Sequence, residues 1–180
     1  MFRITIGEYT LTVADDYPSI YNEYHKRAKL IEILESSDAE GTICFVSVAK
    51  GLNRPFLVVV QKYSPGQENG FQPGILLIPE TRLLFIGAGE QLLAYTWDPP
   101  KRLWEKSVIV GFWGWERHHQ FVIMSAELEL AVWDIYGKKH WSTFVEPPWD
   151  YKIDGETIHL EVMGKQSIFS LQHGPGHVVQ

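Results

Sequence analysis

Glu127, Glu129, His159 and Glu161 are the side chains whose types and spacing best fit acid–base chemistry in this 180-residue chain. In AELELAVW, alternation along a strand puts Glu127, Glu129 and Trp133 on one face and Leu128, Leu130 and Val132 on the other. In IHLEV, His159 and Glu161 share a face opposite Ile158, Leu160 and Val162. If the two segments stacked, the four groups could converge. Carboxylates beside an imidazole can relay a proton or hold a divalent metal. The simpler reading is a polar outer face on a half-exposed antiparallel sheet, which alternation alone would produce.

A second constellation could bind rather than catalyse. All seven tryptophans lie between Trp97 and Trp149. The densest cluster is GFWGWERHH, where Phe112, Trp113 and Trp115 flank a glycine and Arg117, His118 and His119 follow. Aromatics and arginine dominate binding hot spots, so this stretch could form a platform for a flat ligand or a partner. The same rings could instead fill the space between β-layers, because each can bury 150–250 Å². His118 and His119 are neighbours, so in a strand they point to opposite faces and cannot share a metal without a turn. The loop FVEPPWDY is a second candidate contact surface. Glu146 and Asp150 flank Pro147, Pro148 and Trp149, and a loop stiffened by proline loses little entropy on binding. A proline-stiffened crossover with a packed tryptophan fits it equally.

Other motifs are missing. GAGEQL (87–92) has two glycines at dinucleotide-fingerprint spacing, but it lacks the third and runs into a strand. The sequence contains no P-loop, HExxH, GxSxG, EF-hand loop or zinc-type Cys/His spacing. No metal and no cofactor is therefore expected. The single cysteine, Cys44, lies in the apolar run TICFVSVA and reads as a small buried hydrophobe.

These residues must be positioned mostly by strands. Phe2, Ile4 and Ile6, then Tyr9, Leu11 and Val13, alternate with polar residues around Gly7-Glu8, which predicts an N-terminal hairpin with one buried face. Asp16 or Ser19 can cap a short helix over 19–29, with Tyr21, Tyr24 and Ala28 on one side. Residues 29–36 fit a helix or a strand; the strand reading pairs them with TICFVSVA across SDAEG. PFLVVVQKY is a buried strand, and 64–74 is a loop rich in Gly, Pro and Asn. From Ile75 onward strands follow one another, punctuated by prolines and glycines. Asp154-Gly155 marks a tight hairpin.

The strands recur. LLFIGAGEQLLAYT (83–96), FVIMSAELELAVWD (121–134) and IHLEVMGKQSIFSL (158–171) are each a strand, a short connector and a second strand, spaced about 37–38 residues apart. The first two lead into WDPPKRLW and WDIYGKKHW. The second string resembles the repeat of quinoprotein-type β-propellers, through Trp133, Asp134, Gly137, Lys138 and Trp141. The resemblance implies a tight Asp/Gly turn and a tryptophan packed between sheets. It covers about 90 residues, too few for the four blades of a minimal propeller, and none of the cofactor-binding residues of those enzymes maps onto this chain. The chain as a whole also resembles a group of bacterial proteins of unknown function, which implies no activity.

The fold expected is mainly β and antiparallel, in two packed sheets or a curved open barrel built from propeller-like hairpins, with one short N-terminal helix. An α+β sandwich is the alternative. One domain over 1–180 suits the length, divided into a hairpin and helix (1–40) and a meander (41–180). A net charge of −6 argues against nucleic acid and anionic membranes as partners. The N-terminus lacks the basic and apolar regions of a signal peptide, and no apolar run is long enough to span a bilayer. A cytoplasmic location is expected. The leading functional expectation is a non-catalytic binding or interaction protein that uses the aromatic loops to hold a protein or small molecule. A hydrolase-like enzyme with the carboxylate/His set is a second expectation. A structural subunit of a homo-oligomer is a third.

Overall fold

The computed structural model describes residues 1–35, 41–65 and 70–176. The turn expected at SDAEG and part of the loop expected at 64–74 lie outside the described residues. Sixteen strands and one helix are described, and the strands form four small sheets. The mainly antiparallel β fold with one short helix is as expected; among the described residues the strands are distributed over four sheets and no barrel closes.

The first sheet contains β1 (Phe2–Ile6), β2 (Tyr9–Ala14), β3 (Leu30–Leu34), β4 (Thr42–Lys50) and β5 (Leu57–Tyr63), in the order β1-β2-β4-β5-β3. The second runs β6 (Gly74–Ile78), β7 (Leu83–Ala88), β8 (Gln91–Trp97), β9 (Pro100–Ser107). The third runs β10 (Phe112–His118), β11 (Phe121–Ala126), β12 (Glu129–Asp134), β13 (Lys139–Phe144). The fourth has β14 (Trp149–Asp154), β15 (Thr157–Val162) and β16 (Lys165–Ser170). Sheets two to four are plain meanders: the recurring hairpins β7–β8 and β11–β12 are the central pairs of the second and third sheets, and β15–β16 is the last pair of the fourth.

The sheets stack in chain order, with one apolar core between each consecutive pair. Leu11, Val13, Val46, Val48, Leu57 and Val59 of the first sheet meet Leu84, Ile86, Leu93 and Tyr95 of the second. The other face of the second sheet, with Phe85, Leu92 and Ala94, meets Phe112, Val122, Met124, Ala131 and Trp133. Ile123, Leu130 and Val132 then meet Ile158, Leu160 and Phe169. A strand covered on both faces needs apolar residues without alternation, as β7 shows with all six residues buried.

The two ends of the stack are finished differently. On the outer face of the first sheet, Phe45, Val58 and Val60 are covered by α1 (Tyr21–His25) through Tyr24, with Tyr17, Tyr21 and Ala28 beside it. The outer face of the fourth sheet is polar. Asp150, Lys152, Asp154, His159, Glu161 and Gln166 surround Ile168 there, around a shallow depression of about 540 Å³.

Three local expectations change. Residues 30–34 do form a strand, but it pairs in parallel with β5 rather than with β4. The helix has no side-chain cap, because Ile20 stands at the N-cap position; Asp16 Oδ1 accepts the neighbouring Tyr17 N–H. The hairpin β1–β2 buries Leu11 and Val13, while Phe2 and Ile4 remain exposed because β1 is an edge strand. Cys44 is buried at 1% exposure, and burial pushes its thiol up to about 12. The native protein is expected to resist a thiol-specific colour reagent at neutral pH and to react fully only once unfolded. Fast labelling of the folded protein would contradict that burial.

Candidate functional site

The aromatic cluster sits on β10, and a bulge decides where each ring goes. Phe112 pairs with Ala126 and Gly114 pairs with Ser125, so Trp113 is the extra residue between them. A bulge residue leaves the ladder and shifts the side-chain phase beyond it. Phe112 and Trp115, three apart, therefore both enter the core facing the second sheet. In a regular strand they would face opposite ways.

Phe112 is fully buried. Its ring lies on Gly74 and Gly87, where an added Cβ would come within 2.7 Å of ring atoms at either position. Trp115 contacts Phe85, Phe112 and Trp133 with ring centroids 5.3, 5.4 and 5.7 Å away. Trp104 stacks on Trp133 at 5.6 Å and donates its indole N–H to Gly137 O at 2.7 Å. Phe112 is thus enclosed in the core, and Trp115 is half-buried at its edge on the face toward the second sheet.

Trp113 is different. Its side chain is 45% exposed, yet the ring is held parallel to Trp149 at 5.1 Å and 8°. Trp149 in turn lies 6.2 Å from Tyr151, tilted by 20°. The lower rings are anchored. Trp149 Nε1 donates to Glu127 O at 3.0 Å, and Tyr151 OH donates to Glu116 Oε2 at 2.6 Å. Burial, then the bond to Glu116, raises the Tyr151 hydroxyl above its ordinary value, so it stays a donor at neutral pH. The result is a three-ring ladder at the seam of β10 and β14 with its last ring open to solvent.

The remaining candidates separate. Arg117 faces the second sheet and makes a two-pronged contact with Glu80 at 3.0 and 3.2 Å. That guanidinium holds the Glu80 carboxyl below the usual carboxylate range. His118 faces the fourth sheet, with Nε2 2.7 Å from Gly155 O. Both act as clasps between sheets at the end of β10 far from Trp113. Glu146 is exposed in the segment leading to β14. Asp150 faces outward on the fourth sheet, directly across from Glu161.

The carboxylate/His set does not converge. Glu129 shares its face with Ala131 and Trp133, toward the second sheet, and binds Lys139 at 3.1 Å. Glu127 stands in the β11–β12 turn. His159 and Glu161 lie on the outer face of the fourth sheet, two strand layers away. Among the described residues no group of three or more His, Cys, Asp or Glu side chains could hold a metal. No proton relay can be drawn through these four groups.

The turn that carried the propeller resemblance is built as that repeat implies. Asp134 Oδ1 accepts the N–H groups of Tyr136 and Lys138, each at 2.9 Å, and Gly137 takes a positive φ of 83°. Ser170 repeats the device one sheet later, its Oγ accepting the Gln172 N–H. Trp141 donates to Leu171 O at 2.6 Å, as Trp104 does to Gly137 O. The fold is thus a mainly antiparallel stack of meanders with propeller-like inter-sheet tryptophans. Among solved structures it is similar to two β-propellers. BamB from Moraxella catarrhalis is 11% identical with a TM-score of 0.39, over 76% of this chain and 48% of that one. Hsv2 from Kluyveromyces lactis is 16% identical with a TM-score of 0.33, over 57% and 33%. This chain thus matches a third to a half of the length of those proteins. No family model and no curated protein matches it.

Proposed function

We propose that the protein is a non-catalytic interaction module, working in the cytoplasm, that presents the Trp113 ring to a partner protein. The observation behind this reading is the bulge. It takes one indole out of the β10 ladder and leaves it 45% exposed, stacked on an anchored Trp149. A large ring fixed in place before binding gives contact area with little entropy lost. The separation of Glu127 and Glu129 from His159 and Glu161 removes the support for the hydrolase reading.

Trp113→Ala tests the proposal. The change removes one ring stack, so its stability cost is expected to be about 1 kcal/mol in a denaturant titration. A hot-spot residue costs about 2 kcal/mol of affinity or more, roughly 30-fold. Chemical crosslinking in the native lysate, compared between wild type and variant, should therefore lose its partner adducts at this seam. If the variant keeps the same adducts at the same yield, Trp113 is not the contact.

A further inference from the structure

The rim around Trp113 has a charge as well as a shape. Five connections come to this end of the stack: the β7–β8 turn at Gly89-Glu90, the β9–β10 segment at 108–111, the β11–β12 turn at Glu127-Leu128, the β13–β14 segment at 145–148, and the β15–β16 turn at Met163-Gly164, whose Met163 N–H donates to Pro148 O. They are tied together by backbone bonds. Phe112 N–H donates to Gly89 O, Glu127 N–H to Gly111 O and Val145 N–H to Leu128 O. The Trp149 indole closes the group on Glu127 O. Three of these connections carry a glutamate to this end, Glu90 and Glu146 exposed and Glu127 half-buried, and the other two carry the exposed Ile109 and Met163. Among the described residues none of the three has a cation within ion-pair distance. Arg117 of β10 lies at its other end, occupied by Glu80, while the exposed Lys106 and Lys165 stand on the strands that flank this rim.

We infer that this rim docks a basic, arginine-bearing extended segment of a partner protein; the inference rests on the interaction-module reading above and names its partner's chemistry. A guanidinium is planar and weakly hydrated. It can lie flat on the free face of Trp113 while its N–H groups reach a carboxylate at the edge. Three carboxylates without an ion-pair partner, on turns at the same end as a rigid aromatic ring, complement such a segment and repel an acidic one. The chain's net charge of −6 adds attraction at longer range.

The test is a tryptophan-fluorescence titration of the whole protein with three short synthetic peptides. One alternates arginine and glycine, one alternates glutamate and glycine, and one alternates leucine and proline. The arginine peptide is expected to bind, to weaken as salt is raised, and to lose about tenfold in affinity to a Glu127→Gln/Glu146→Gln double variant. It should fail on Trp113→Ala. No binding of the arginine peptide, or equal binding of the arginine and glutamate peptides, overturns the inference. If the leucine–proline peptide alone binds in a Trp113-dependent way, the cationic partner is wrong while the aromatic platform stands. If the arginine peptide binds Trp113→Ala as well as wild type, the inference and the platform fall together.

Discussion

Phe112→Ala should destabilise the protein by about 3–5 kcal/mol, the range for removing a buried aromatic ring. The ring is fully buried between the second and third sheets. The opposing wall is backbone: Gly74 of β6 and Gly87 of β7, paired across the same hairpin, form its floor. Backbone cannot relax into the vacated space as a flexible side chain might, so the cavity penalty should persist. The reverse change makes the same point. Gly87→Ala would place a Cβ 2.7 Å from two Phe112 ring atoms, and overpacking of this kind costs about 1–3 kcal/mol. The two changes should couple. In the Phe112→Ala background the added methyl enters empty space, so Gly87→Ala should cost much less there than alone. A double-mutant cycle from denaturant unfolding measures this. Additive costs would mean that the ring does not sit on the glycine, and a Phe112→Ala cost under about 1 kcal/mol would remove it from the core.

How much of this was legible in the sequence varies from element to element. The hairpins 83–96 and 121–134 could be read because each is the central pair of a four-stranded sheet covered on both faces, while 158–171 keeps the strand-turn-strand order with only one face covered. The first sheet could not be read as a member of the stack. Its edge strand β3 arrives through the α1 crossover and pairs in parallel with β5, a choice made by distant contacts. The number of sheets was also hidden, because continuous apolar runs such as Leu83–Ala88 fit any strand covered on both faces. The aromatic cluster was visible as composition, but the roles within it were not. Strict alternation groups Trp113 with Trp115 and separates Phe112 from both. The bulge between Phe112 and Gly114 reverses that grouping. The glycine ahead of Trp115 is a weak signal, since glycine inside a strand often accompanies a bulge. The glutamates of the rim are 37 and 19 residues apart in the chain, and only the backbone bonds between the turns bring Glu90, Glu127 and Glu146 to one end.

Trp141→Ala should open the fourth sheet before the rest of the molecule. In a stack, each sheet is held by its own hydrogen bonds and by its neighbours, and the last sheet has one neighbour. The fourth sheet has three strands where the second and third have four, so its own ladder is shorter too. Trp141 is a principal tie across that single interface. Its indole N–H bonds Leu171 O at 2.6 Å, and its ring meets Phe169 edge-on at 5.4 Å. It also covers Gly174, where a Cβ would come within 2.6 Å of the ring. Losing the ring should cost about 3 kcal/mol, the lower end for an aromatic to alanine change because the side chain is only partly buried. That cost should fall on local opening. Backbone amides of β15 and β16 should exchange with solvent deuterium roughly a hundredfold faster, as a 3 kcal/mol loss in opening free energy implies. Amides of β7 and β8, two sheets away, should keep most of their protection. Trp141→Phe keeps a ring against Phe169 and loses only the hydrogen bond, so it should cost about 1 kcal/mol. If exchange instead rises equally in all four sheets, the stack unfolds as one cooperative unit, and the tie at Trp141 is no weaker a link than the cores on the far side of it.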